Sequence, residues 1–332
     1  HRRMLRKRDW YLLGDIGGSN ARFAAAAGGG IDELRVLEVQ EYPRFEEALQ
    51  EYLDGLRRSG AFRSLPAAAC LAVAAPVDAQ PLRFTNSSWV VDREALQGLL
   101  PGTRLALIND FAGIGHAVPA LGSDDWEALG GGAPSAGEAL AVLGPGTGLG
   151  VCTVVPQQGR YRVLAGEGGH VDFAPVDERE IDILRILWRR FGRVSAERLL
   201  CGDGLVQLYT ALAELRGEGC PDSIDPAQVS AAGLAGRDAL AVETLEVFIG
   251  ALGAMAGNLA LTVGARGGVY LAGGIAPRLL EALRRGRFRE RFLDKGRFRS
   301  YLEPIPTRVI VHPQPALLGC LRHLEETDAA PE

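Results

Sequence analysis

Four short segments of this chain hold residues whose types and spacing suit chemistry on phosphate and hydroxyl groups. The first, Gly14-Asp15-Ile16-Gly17-Gly18-Ser19-Asn20, is a glycine turn between apolar runs. Successive backbone N–H groups in such a turn form a nest for phosphate oxygens, and the Ser19 hydroxyl adds a donor. Asp15 beside it suits a hydrated Mg2+, an ion usually held by one or two carboxylates together with substrate phosphates. The same residues also read as an ordinary hairpin turn. The second segment, Leu143-Gly144-Pro145-Gly146-Thr147-Gly148-Leu149-Gly150, gathers four glycines around Thr147, so that a phosphate can approach the backbone. Two such turns in different halves of one chain point to a nucleotide clamped between domains. In the third, the apolar run Leu105-Ala106-Leu107-Ile108 delivers Asn109-Asp110-Phe111. Asp110 reads equally as the cap of a following helix or as a general base. The fourth, Ala165-Gly166-Glu167-Gly168-Gly169-His170-Val171-Asp172, brings carboxylate, imidazole and flexible glycines together, which suits vicinal hydroxyls. A polar loop around a satisfied histidine is its plainer reading.

The elements that must position these segments alternate between strand and helix, so the class is α/β. Tyr11–Ile16 and Ala21–Ala27 read as strands on either side of the first turn, and Leu140–Leu143 and Gly150–Val155 as strands around the second. Ala67–Ala75 and Leu105–Ile108 suit buried strands, as do Val269–Ala272, entering Gly273-Gly274, and Val309–Val311. Helices are expected over Phe45–Leu56 and Ala316–Glu325, and around an apolar stripe of Ile181, Leu184, Leu187, Trp188 and Phe191. Gly130–Gly137 reads as a loop, and no internal repeat shows. The expected organisation is a small α/β domain over 12–119 joined by 311–332, a large α/β domain over 120–310, and a basic extension over 1–11.

Composition narrows the classes further. The 332 residues carry 36 Lys and Arg against 41 Asp and Glu, a net charge of −5, which does not favour nucleic acid or an anionic membrane as the main partner. The five cysteines, 70, 152, 201, 220 and 320, form no CxxC or Cys/His cluster, so a structural zinc and a disulfide framework are disfavoured and buried thiols in the cytoplasm are expected. The basic start lacks the apolar core of a signal peptide, and Met4 reads as a natural start. Val247–Ala265 has no charge over 19 residues, but its glycines, Asn258 and Thr262 favour a buried helix over a membrane span. No GxxxxGK[ST] and no GxGxxG opening a helix occur, which disfavours P-loop and dinucleotide folds.

In order along the chain, GDIGGSNARF, NDF after an apolar strand, GPGTGLGV, GEGGHVDFAP, SAERLLCGDGL and YLAGGIAPR resemble the bacterial ATP-dependent glucokinases over about Leu12 to Leu324. The resemblance implies a two-domain actin/hexokinase-like (ribonuclease H-like) fold with a cleft between domains. It implies transfer of the γ-phosphate of ATP to the 6-hydroxyl of glucose, with Mg2+, in a cytoplasmic homodimer at the entry to glycolysis. Gly14, Asp15, Ile16, Gly17, Gly18 and Ser19 match the first phosphate loop, Gly146, Thr147 and Gly148 the second, and Gly273 and Gly274 the turn that packs on adenosine. Asn109, Asp110, Glu167, His170 and Glu197 match the glucose contacts, with Asp110 as the base. The Thr85–Trp89 loop, with Asn86, matches the one that covers the sugar, and Trp89 is expected to move with it. Ser19 stands where the family often has Thr, and Cys201 where Ser is common. A kinase of the repressor/open-reading-frame/kinase family expects a cysteine-rich zinc motif soon after the histidine, and 171–200 holds no cysteine.

Overall fold

A computed structural model describes residues 9–84 and 87–328. Two compact units divide the chain: one runs to Ala120 and resumes at Pro313, and the other is Leu121–His312. The return to the first unit comes two residues after the expected 311, because the Val311 and His312 N–H groups both donate to the Asp125 carbonyl, at 2.8 and 3.1 Å.

In the first unit, β1 (Tyr11–Ile16), β2 (Asn20–Ala27) and β3 (Gly30–Glu38) form an antiparallel meander. β4 (Ala68–Val73) lies parallel to β1, and β7 (Arg104–Asn109), which follows a separate short antiparallel pair, β5 (Leu82–Arg83) and β6 (Val90–Val91), lies parallel to β4. The sheet order is β3-β2-β1-β4-β7. Alternation along β1 divides the core: Leu12 and Ile16 pack toward α1 (Phe45–Ser59) and α2 (Arg93–Leu99), whereas Tyr11 and Leu13 face the helix Pro315–Asp328. Charge alone groups Trp10 and Tyr11 with the basic extension, and the structure corrects this. Trp10 is fully buried, stacks on Phe62 and donates to the Ser64 carbonyl, and Tyr11 pairs with Ala26 and Ala68. Burying a large aromatic ring outweighs the run of charge before it. Residues 1–8 lie outside the described residues.

β7 leads directly into α3 (Asp110–Ala117), which packs on the helix Pro315–Asp328 so closely that a Cβ at Gly319 would lie 1.6 Å from the Gly113 carbonyl oxygen. The rings of His116 of α3 and His323 of that helix lie 4.8 Å apart, tilted by 60°. Burial, reinforced by His323, pushes the His116 imidazole down to about 4, and burial with Arg104 lowers His323. With folded values below the unfolded ones, the unfolded chain binds more protons, so stability rises with pH through this window. Denaturant midpoints are expected to fall as pH drops from about 6.5 toward 4, and His116→Phe should flatten that slope. An unchanged slope in the variant would remove this pair as the source.

In the second unit, β8 (Trp126–Gly130) is an edge strand, β9 (Leu140–Pro145), β10 (Leu149–Gln157) and β11 (Arg160–Gly166) form a meander, and β12 (Gly268–Leu271) and β13 (Thr307–Ile310) complete the order β11-β10-β9-β12-β13-β8. A three-strand antiparallel meander followed by two parallel strands thus occurs in both units, and the two glycine turns occupy the same place in it, between the first two meander strands. The helices are α4 (Glu178–Phe191), α5 (Ala196–Leu199), α6 (Gly202–Arg216), α7 (Pro226–Ala235) and α8 (Ala239–Val263).

All but the last two residues of the uncharged stretch lie in α8, which is mostly buried. Its glycines let the helix Phe288–Leu293 lie against it: a Cβ at Gly253 would sit 2.2 Å from the Phe288 carbonyl oxygen. The inward face of α4 differs from the expected stripe. Ile183, Leu184, Ile186 and Leu187 are buried with Glu180, and Trp188 is 52% exposed. A hydropathy stripe places Glu180 outside, but its carboxylate is turned inward by a buried two-pronged bond to Arg291, at 2.8 and 3.2 Å. Four cysteines are buried as free thiols, while Cys220 is exposed, contrary to expectation.

Candidate functional site

The candidate residues fall in both units. In the first, the glycine turn closes on itself: the Gly17 N–H donates to the Asn20 carbonyl at 2.9 Å, and the Ser19 carbonyl accepts from Val39. That leaves the Gly18 and Ser19 N–H groups without a partner among the described residues. They line a cavity of about 600 Å3 with Asn20, Tyr42, Ser87 and Ser88. Gly14 and Ile16, expected in the phosphate loop, sit in the β1 ladder that leads into the turn, and Ile16 is fully buried.

Asp15, also in β1, faces Arg22 across the strand pair at 3.7 Å. Burial raises its carboxyl above the usual range, and Arg22 partly opposes that. A single hard-oxygen donor whose charged form needs support fits a cation that keeps its waters and takes other oxygens from phosphate. Among the described residues no group of three or more metal-ligating side chains occurs.

Asn109 ends β7 and caps α3: its Oδ1 accepts from the Phe111 and Ala112 N–H groups at 3.0 and 3.2 Å. The capping role thus belongs to Asn109, and Asp110 is the first residue of the helix, accepting from the Phe111 N–H at 2.8 Å. Helix N-termini favour negative charge, which supports a carboxylate there. Asn86 and Thr85 lie outside the described residues. Trp89, expected to ride on their loop, is instead anchored in the core, donating to the Tyr42 carbonyl at 2.8 Å and packed edge-on against Phe45.

In the second unit the turn between β9 and β10 repeats the first one's economy. Gly146 N–H donates to the Gly148 carbonyl at 2.8 Å, and the Thr147 and Gly148 N–H groups have no partner among the described residues. Gly273 has a positive φ of 87°, and a Cβ there would lie 2.6 Å from the Pro145 carbonyl oxygen, so glycine is required to pack against the turn. Gly274 opens the short helix Ile275–Arg278 and lines a cavity of about 450 Å3 with Gly146 and Thr147. Asp203, Ser230 and Arg278 line the same cavity, and the sequence patterns do not single them out. The capping box of α7, Asp225 with Gln228, is the local signal that places Ser230 there.

His170 and Glu197 come together beside this turn, and the Glu167 carbonyl accepts from the His170 N–H at 3.0 Å. Gly168 and Gly169 are needed for close approach to β10, not for flexibility: a Cβ would fall 2.8 Å from the Val151 Cβ and 2.2 Å from the Leu149 carbonyl oxygen. His170 Nε2 lies 3.8 Å from Glu197 Oε1, and Glu197 Oε2 accepts from the Leu149 N–H at 2.9 Å. Glu167 and His170 are exposed. Cys201, at the position where serine is common, caps α6 by accepting from the Gly204 N–H at 3.3 Å, so sulfur stands in for the hydroxyl.

A family model described as Glucokinase matches residues 12–327. The glucokinase of Chromobacterium violaceum is 48% identical over 95% of this chain and 89% of its own length. That of Hahella chejuensis is 41% identical over 97% and 99%. The crystal structure of a glucokinase from an Antarctic psychrotroph superposes with a TM-score of 0.86 at 32% identity, covering 96% of this chain and 99% of that one. The ROK hexokinase of Thermus thermophilus, at 20% identity and a TM-score of 0.65 over 96% and 99%, shares the fold alone. Matched nearly from end to end in sequence and in fold, the chain belongs to the glucokinase family.

Proposed function

We infer that this protein transfers the γ-phosphoryl group of ATP to the 6-hydroxyl of D-glucose, giving glucose 6-phosphate and ADP. The observation that carries this is the 48% identity to a glucokinase over 95% of the chain. Each residue then has a role derived from its chemistry. A sugar hydroxyl is a poor nucleophile at neutral pH, and Asp110 accepts its proton as it attacks phosphorus in line. The N–H groups of Gly18, Ser19, Thr147 and Gly148 donate to phosphate oxygens, and Gly273 and Gly274 border the adenosine. Asn109, Glu167, His170, Glu197 and Asn86 hold the ring hydroxyls, an arrangement that rejects analogues lacking one of them. Asp15 would hold Mg2+, which would supply positive charge to the phosphoryl oxygens. The reading extends to a homodimer in the cytoplasm.

A coupled assay of ADP release over a panel of hexoses tests it. Glucose is expected to be turned over and 6-deoxyglucose to release no ADP, since it keeps the ring hydroxyls but lacks the acceptor. Absence of glucose-dependent ADP formation would overturn the assignment.

A further inference from the structure

We propose that Glu197 is a positioning residue that couples sugar binding to nucleotide affinity within the second unit, by holding the Gly146–Leu149 turn with one carboxylate oxygen and facing the sugar side with the other. This rests on the function proposed above. The phosphate-facing N–H groups of Thr147 and Gly148 lie between two anchors, and both anchors come from one segment. The Leu149 N–H donates to Glu197 Oε2 at 2.9 Å. On the other flank, the Gly146 carbonyl accepts from the Gly202 N–H at 2.8 Å. The absence of a side chain at Gly148 makes room for the carboxylate, since a Cβ there would lie 2.7 Å from Oε2. The same segment is tied to the His170 loop, where the Ala196 N–H donates to the Val171 carbonyl at 2.8 Å and Glu197 Oε1 lies 3.8 Å from His170 Nε2.

Glu197 is 30% exposed at its side chain; Oε2 is held by the Leu149 N–H, while Oε1 has His170 Nε2 only at 3.8 Å, so the carboxylate is held at one end. A sugar hydroxyl on Oε1 fixes the carboxylate and with it the Leu149 bond. The ordering cost of the turn is then met before the nucleotide arrives, which makes the two ligands cooperative. By linkage the nucleotide must tighten sugar binding by the same factor.

Calorimetric titration of ADP, with and without glucose at ten times its separately measured Kd, reads this directly. Wild-type protein is expected to bind ADP on the order of 10-fold tighter with glucose. Glu167→Gln, which alters the sugar side without touching the turn, should weaken glucose binding but keep that factor. Glu197→Ala should abolish the factor and weaken ADP binding even without sugar, and amide exchange across 144–149 should accelerate in the sugar-free protein. Glu197→Gln keeps an oxygen for the Leu149 N–H and should restore both exchange protection and sugar-free ADP affinity. A Glu197→Ala variant with wild-type ADP affinity and unchanged exchange in the turn would overturn the proposal. Failure of wild-type protein to bind glucose or ADP would instead overturn the assigned function, and the exchange comparison would still decide whether Glu197 holds the turn.

Discussion

Asp110→Asn is expected to fold and bind glucose like the wild type while kcat falls by roughly 10²–10⁴-fold, the usual worth of general-base catalysis. The substitution is nearly isosteric, and its amide oxygen can still accept the Phe111 N–H that Asp110 accepts at 2.8 Å. The helix start does not depend on the lost charge, because Asn109 supplies the cap through two bonds of its own. What the variant lacks is a group basic enough to take the hydroxyl proton. The loss should therefore appear in kcat, with the KM for glucose little changed, when ADP release is followed under saturating ATP. A variant with near wild-type kcat would leave Asp110 as a helix-start residue only.

Arg291→Ala is expected to be the most damaging substitution for stability away from the site, at about 3–5 kcal/mol. Arg291 and Glu180 are 4% and 1% exposed at their side chains and join by two hydrogen bonds. Removing the guanidinium leaves a carboxylate in the core with no compensating charge. The double replacement Glu180→Leu with Arg291→Met removes both charges at similar volume and is expected to recover most of the loss, since apolar substitutes for a buried pair are often neutral or better. Urea denaturation of the three variants measures this. A double variant as unstable as Arg291→Ala would show that packing, not the orphaned charge, carries the cost.

Much of the scaffold is legible because its signals are local. The run Tyr11–Ile16 announces a strand and Gly17-Gly18 its turn, and the apolar run before Asn109-Asp110 announces a strand that ends in a helix start. The strand β3 escapes such a reading because Gly30–Glu38 is largely exposed and shows no buried face. The stripe on α4 is misplaced by periodicity because a glutamate counts as outward, and Arg291, its partner, is 111 positions away. Trp89 takes its expected place from its neighbours in a polar loop, whereas its ring belongs to a core assembled from Phe45 and the Tyr42 carbonyl.

By itself the sequence determined the α/β class, the place of both glycine turns, the strand that carries Asn109 and Asp110, and the family resemblance, since each is written in contiguous residues. Only the tertiary structure decided which turn amides remain open and that Asn109, not Asp110, takes up the cap. It alone showed Gly168 and Gly169 to be clearance for β10, and Glu197 to join the Leu149 amide to His170. The reason is physical. Hydrogen-bond partners and steric clearances depend on distances between residues far apart in the chain, and those distances exist only once the sheets and helices have packed.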